Sequence, residues 1–265
     1  MGEVAVHGLD GKQVGEVSLG KVFSEKVRPD LINKCFDAER SEKRQPYGSN
    51  PLAGKRTSAH YHGERGLRYS MMNKEMARLK RIHNQGPLNM TARFSPQAIK
   101  GRRAHPPKIE KVWFLKVNKK ERFKAIRSAI AATAFKDAII SRGHKADGLK
   151  AFPIVVSNDF EKIDTAKRVS EVLLSLGLEQ ELERGKEKKV RAGRGKMRGR
   201  RYKKKTSILI VASDLKNVKK AASNLAGIDV SEPSKLTVSL LAPGGSPGRL
   251  TVWTKSALEE VNKWV

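Results

Sequence analysis

His60, Tyr61, His62, Tyr69 and Phe94 punctuate a run of sixteen lysines and arginines between Lys43 and Lys111, opposed only by Glu64, Glu75 and Glu110. That mixture suits recognition rather than bond-making, because cations meet phosphate oxygens while flat rings accept splayed bases. The contact candidates here are Lys55, Arg56, His60, Tyr61, Arg65, Arg68, Arg78, Lys80, Arg81, Arg93, Lys100, Arg102, Arg103 and His105. A second tract, residues 184–205, sets thirteen basic residues against Glu187 alone. It adds Arg191, Arg194, Lys196, Arg198, Arg200, Arg201, Lys203, Lys204 and Lys205. One such run is commonly a solvated loop or a localisation signal. Two of them, each between globular elements, point to nucleic acid. Ordinary packing is the competing use for the rings, since little else in the first segment is apolar.

Other chemistries fail on residue type or spacing. Four of the six histidines (His60, His62, His83 and His105) lie in the first basic segment. A metal there would sit in a positive field with no cysteine nearby and no adjacent carboxylate but Glu64, so no metal site is expected. Gly193 and Gly195 are followed by Gly199, one residue too far for the dinucleotide fingerprint, and no phosphate-loop motif occurs. The carboxylates scatter over helix faces, and no nucleophile–base pair can be drawn. Neither catalysis nor a cofactor is expected.

The whole chain carries a formal charge of +28, with 31% charged and 38% hydrophobic residues. Self-repulsion on that scale opposes compaction unless counter-charge is recruited, and nucleic acid supplies it densely. An anionic membrane would want a basic amphipathic helix with a strong apolar face, whereas these tracts are Gly-rich and aperiodic. Cys35 is the single cysteine, so an intrachain disulfide or cysteine-based zinc site is excluded, as suits a reducing interior. Neither a leader-like apolar stretch nor a spanning-length apolar run is read.

The elements that must carry these tracts follow from periodicity. Residues 3–19 alternate around an Asp10-Gly11 pair, which predicts a hairpin. Pro29 opens a helix with Leu31, Ile32, Cys35 and Phe36 inward. A short apolar run covers Val112–Val117, and a long helix is expected over Lys119–Arg142 with Phe123, Ile126, Ile130, Ala134 and Ile139 inward. Buried strands are read at Phe152–Ser157 and Ile208–Ala212 and a short one at Ile228–Val230, with helices at Ile163–Leu176 and Leu215–Leu225. Strands that are apolar throughout, alternating with helices, imply an α/β fold: a parallel sheet with flanking helices, a Rossmann-like layer. The expected organisation is a globular domain of residues 1–44 and 109–265, a long extended basic internal loop over 45–108, and a basic insertion at 184–205. Within the loop only Ser70–Asn84 has helical spacing, through Met72, Met76, Leu79 and His83.

Five motifs carry a resemblance. They are Asn50-Pro-Leu-Ala-Gly-Lys-Arg-Thr-Ser-Ala59, Lys100-Gly-Arg-Arg-Ala-His-Pro-Pro107 and Arg127-Ser-Ala-Ile-Ala-Ala-Thr-Ala134, with Arg191-Ala-Gly-Arg-Gly-Lys-Met-Arg-Gly-Arg-Arg-Tyr202 and Leu241-Ala-Pro-Gly-Gly-Ser-Pro-Gly-Arg-Leu-Thr-Val-Trp-Thr254. In this order they resemble ribosomal protein four of the large subunit in its archaeal and eukaryotic form, almost end to end. The lack of a long extension after Val265 favours the archaeal form. The resemblance implies a non-catalytic, cytoplasmic component of the large ribosomal subunit that organises its rRNA beside neighbouring ribosomal proteins, with no membrane partner. It also implies a long loop that helps line the nascent-peptide tunnel. Sixty-odd residues going out and back reach at most about 100 Å. Where the family has a Gly-Thr-Gly-Arg-like turn, this chain has Gly63-Glu64-Arg65-Gly66. Two tips therefore stay open: His62, Gly63, Glu64, Arg65 and Gly66, or the expected Ser70–Asn84 helix. Free RNA- or DNA-binding regulation and an enzyme with basic extensions are the rival readings of the whole chain.

Overall fold

The computed structural model describes residues 2–146, 148–149 and 151–264. They form two compact units, one of Met1–Lys43 with Phe114–Val265 and one of Arg44–Trp113.

The first unit is built on a six-stranded sheet. β1 (Glu3–His7) and β2 (Gln13–Ser18) form the expected antiparallel hairpin. Its turn closes through Gly8 N–H to Lys12 O at 2.8 Å, and Gly11 supplies a φ of +74° that an L side chain resists. β3 (Ile154–Val156) pairs parallel with β1, and the order continues through β8 (Thr251–Thr254) and β6 (Leu209–Val211) to β7 (Asp229–Ser231), all parallel. Both faces are covered, which explains the continuous apolar runs. Leu209, Val211, Val155 and Trp253 join one core with Phe23, Ile32 and Ile130. Ile210, Ile154, Val156 and Val252 join the other with Phe160, Val172 and Leu173. A period of two sends neighbouring residues to opposite cores.

Helices α1 (Pro29–Glu42), α4 (Ala166–Ser175) and α6 (Lys216–Ala222) lie where spacing put them. Two readings change. The helix expected over Lys119–Arg142 is two, α2 (Lys119–Ala132) and α3 (Lys136–Ser141). Thr133 Oγ1 donates to Ile130 O at 2.7 Å, and Phe135 is extended at φ −94°, ψ 114°, so the backbone leaves the helix between them. Phe123 is 42% exposed rather than inward. Val112–Val117 forms no strand; Val112 is 81% exposed and Phe114 51%. Among the described residues, no helix is long and apolar enough to cross a membrane.

The second basic tract is more ordered than its glycines suggest. It begins inside α5 (Glu179–Lys186) and continues into an antiparallel pair, β4 (Lys188–Val190) with β5 (Tyr202–Lys204). Arg184 belongs to the core here, not to the surface. Its guanidinium reaches Glu181 Oε1 at 2.6 Å and Oε2 at 2.8 Å, and the side chain of Glu181 is fully buried. Glu181 also accepts from His144 Nδ1–H at 2.7 Å, Lys145 N–H at 3.1 Å and Ser207 Oγ–H at 2.9 Å.

Burial alone would raise the Glu181 pKa, but hydrogen bonds from His144 and Arg184 outweigh it and hold it at about 2. Burial pushes His144 down from its ordinary value despite Glu181, which agrees with a neutral ring whose Nε2 accepts from Leu250 N–H. Both folded pKa values are depressed, so both contributions are complete above the unfolded values and decline as pH falls. For Glu181 the loss runs from about pH 4.5 to about pH 2 and is on the order of 3 kcal/mol. Urea midpoints of Glu181→Gln should lie below the parent's at neutral pH and converge with it towards pH 2. A constant gap across that range would show that the charge of Glu181 contributes nothing.

Candidate nucleic-acid interface

The second unit, Arg44–Trp113, has few apolar residues and is organised mainly by backbone hydrogen bonds. Its two ends meet: Ser49 N–H donates to Pro107 O at 3.2 Å, Tyr47 stacks on Trp113 at 5.4 Å, and the Arg44 guanidinium lies 3.9 Å over the Trp113 ring. Further in, Arg81 pairs antiparallel with both His60 and Ala92. His60 and Arg81 exchange backbone bonds of 3.2 and 3.0 Å, while Ile82 N–H reaches Thr91 O at 3.0 Å and Arg93 N–H reaches Lys80 O at 2.9 Å.

That ladder replaces the helix expected over Ser70–Asn84, which is irregular backbone with a turn at 72–73 and no helix, apart from the Arg81 bridge. Met71 and Ile82, at 2% and 6% exposure, form a buried point too small to support an amphipathic face. Positive φ at Tyr69 and Asn73 also breaks any helical run. Between His62 and Met71 the chain makes a closed reversal, with Met71 N–H bonded to His62 O at 3.0 Å and Gly66 at φ +82°. His62, Gly63, Glu64, Arg65 and Gly66 all lie on this reversal, with only His62 partly covered.

The expected contact residues separate by what already holds them. Lys55, Arg56, His60, Tyr61, Arg65, Arg68, Arg78, Lys80, Lys100, Arg103 and His105 are exposed. Arg68 lies 4.9 Å over Tyr69 and Lys80 4.3 Å over Phe94, so these cations arrive with a ring beside them. Arg93 and Arg102 are half-buried, and Arg93 already donates to Ile99 O at 2.9 Å. Arg81 is not a surface cation. It is 8% exposed and donates to Met90 O at 2.8 Å and Ala77 O at 2.9 Å, so it is a strut of the ladder.

On the β4–β5 hairpin Arg194, Lys196, Arg198, Arg200, Arg201, Lys203, Lys204 and Lys205 are exposed. Arg191 is half-buried and bonded to Arg200 O at 3.1 Å, and Lys205 pairs with Glu187. Pairing puts Lys188 opposite Lys204 and Lys189 opposite Lys203. Like charges directly across a ladder are destabilising, so the hairpin stores a demand for an external anion. Tyr47 and Trp113 are absent from the expected contacts. The structure joins them into a stacked pair with Lys111 4.3 Å over the indole, Tyr47 half exposed, and Trp113 Nε1 buried without a partner. Their separation of 66 positions hides the pairing from any local pattern.

A family profile described as the ribosomal protein L4/L1 family matches residues 17–264. The chain is 44% identical to a protein of Methanococcus aeolicus named large ribosomal subunit protein uL4, over 98% of this chain and 99% of that one. Proteins of the same name from Archaeoglobus fulgidus and Methanocaldococcus jannaschii are 47% and 46% identical, over 97% of both chains and 98% of both chains.

Proposed function

The chain belongs to the ribosomal protein L4/L1 family, and from that premise we propose that it is a structural component of the large ribosomal subunit that binds and organises its rRNA. The carrying observation is the density of weakly opposed, exposed cations on the two basic tracts. Apart from Arg81 and Arg184, which are committed internally, most of their lysines and arginines are exposed, with few acidic residues to oppose them. Exposed Lys and Arg in such number bind by neutralising phosphates and releasing counterions. Contacts of this kind position a protein on its RNA without reading sequence. The proposed contact set is the expected list without Arg81, enlarged by the Tyr47–Trp113 platform. The rRNA and neighbouring large-subunit proteins are the partners on this reading, in the cytoplasm.

The same reading places His62–Gly66 at the wall of the nascent-peptide tunnel. The support is the closed reversal at these residues and the absence of a helix at 70–84 to serve as the alternative tip. Arg65 and Arg68 flank Glu64 closely enough in sequence to offset a carboxylate in a polyanionic setting. Large subunits assembled with Glu64→Cys should crosslink to a stalled nascent chain, while those with Met76→Cys or Lys80→Cys should not. Crosslinking from 76 or 80 alone would move the tip, and none from any position would remove the tunnel role. A chain found mainly free of large subunits on sedimentation would sink the ribosomal reading itself.

A further inference from the structure

We propose that His60, His62 and His83 form a binding site for a zinc-type divalent metal ion. The sequence argues against a metal here because these histidines sit in a positive field with no cysteine and no adjacent carboxylate but Glu64. The fold adds what the sequence does not show, since it brings in His83 from 21 residues beyond His62. Arg81 is bridged to His60, so His83 follows two residues past the pairing point and returns to the two histidines. The three ring centroids lie 4.3, 4.7 and 4.9 Å apart, and one nitrogen from each ring can be chosen so that all three fall within 4.8 Å of one another.

Two features beyond proximity fit a metal. His60 Nδ1 lies 3.0 Å from Ser58 O. Only a protonated nitrogen can donate to a carbonyl, so Nε2 of His60 carries the free lone pair. A ligating histidine is commonly fixed in this way by the bond its other nitrogen makes. His83 supplies the second feature: both of its ring nitrogens are shielded from solvent and neither has a hydrogen-bond partner. Ring nitrogens shielded from solvent and left unpaired are costly, and a metal would use the ring's lone pair.

The segment that carries the three rings is strongly basic. A cation here is opposed by the local field and must be held by inner-sphere nitrogen bonds. That selects imidazole-preferring ions such as Zn2+ over oxygen-preferring Mg2+. Zn–N bonds of about 2.0–2.1 Å in a tetrahedron set nitrogens about 3.4 Å apart, which ring rotations can supply from the present spacing. Three histidines leave the fourth position for solvent on the side of exposed His60. The ion would tie the segment before the 62–71 reversal to the segment after Arg81, giving this unit a crosslink in place of an apolar core.

The test titrates the full-length chain, stripped of metal, with Zn2+ against a chromogenic chelator, and with Co2+ for the visible absorption of a tetrahedral centre. We expect one saturable equivalent, with the Co2+ band displaced by Zn2+ and unaffected by Mg2+. His83→Gln should weaken binding by more than the roughly 10–100-fold typical of losing an outer-shell partner, while His7→Gln, in the α/β unit, should leave it unchanged. Zn2+ should also slow proteolysis within 44–113 in the parent but not in the triple His60→Gln/His62→Gln/His83→Gln chain. Absence of a saturable equivalent in the parent, or equal binding by the triple variant, overturns the proposal. Neither result depends on the variants folding like the parent, because the first is read on the unaltered chain and the second requires binding to persist.

Discussion

Replacing Arg249 with methionine lowers the stability of the α/β unit by about 3–5 kcal/mol. The guanidinium is fully buried and donates to Ser207 O at 2.8 Å, Leu240 O at 2.9 Å and the Asp229 carboxylate at 2.6 Å. It thereby joins the entry of β6 to β7 and to the short helix α7 (Val238–Leu241). A buried ion pair can often be exchanged for apolar residues at little cost, because both charges go together. Here two of the acceptors are main-chain carbonyls, which no substitution removes. Methionine fills much of the volume and leaves them without a donor. The Asp229 side chain is 47% exposed and can rehydrate, so the loss comes chiefly from the carbonyls. For a unit of this size the expected drop in melting temperature is about 6–20 °C. Urea unfolding followed by far-ultraviolet dichroism measures it directly. An unchanged midpoint with an unchanged slope would mean that Arg249 serves only as filler.

Arg249 also marks where sequence reading stops. It sits in the Leu241–Thr254 motif, yet nothing local says that its charge is buried, since its partners lie 9 to 42 positions away. The neighbouring strand β8 shares this obscurity. Thr251-Val-Trp-Thr254 has neither clean alternation nor an apolar run, although it lies between β3 and β6 inside the sheet. Strands flanked on both faces were legible where they were rich in Ile and Val, as at Ile154–Val156 and Leu209–Val211, and the Asp10-Gly11 hairpin was legible from its turn. Periodicity over-read Lys119–Arg142 because apolar spacing runs on past Thr133, whose hydroxyl competes for the helix backbone. It over-read Ser70–Asn84 for the opposite reason: Met72, Met76 and Leu79 have helical spacing but no apolar surface to meet. The basic tracts were legible as charge. What charge could not disclose is which cations are committed internally, since Arg81 and Arg184 look in sequence like Arg78 and Arg194.

Neutralising four exposed cations of the β4–β5 hairpin, in Arg200→Gln/Arg201→Gln/Lys203→Gln/Lys204→Gln, should weaken binding to large-subunit rRNA about a thousandfold at 0.1 M salt. The figure follows from counterion release, in which each phosphate contact contributes about 0.7–0.9 to the slope of log K against log salt. At 0.1 M each contact is then worth nearly one logarithmic unit, and four give about three. The parent slope should be steeper than about −6 if ten or more contacts form across both tracts, and the variant's should be shallower by about 3. The substitutions spare the hairpin backbone and relieve the Lys188–Lys204 and Lys189–Lys203 repulsions across the ladder, so the free chain should be no less stable. That sign distinguishes an RNA-binding hairpin from one whose cations serve the fold. If acidic side chains of a neighbouring protein are the true partners, affinity for naked rRNA and its salt slope stay at the parent values while assembly into large subunits fails. If both affinity and assembly survive, these four residues leave the contact set and the first basic unit must carry the RNA alone.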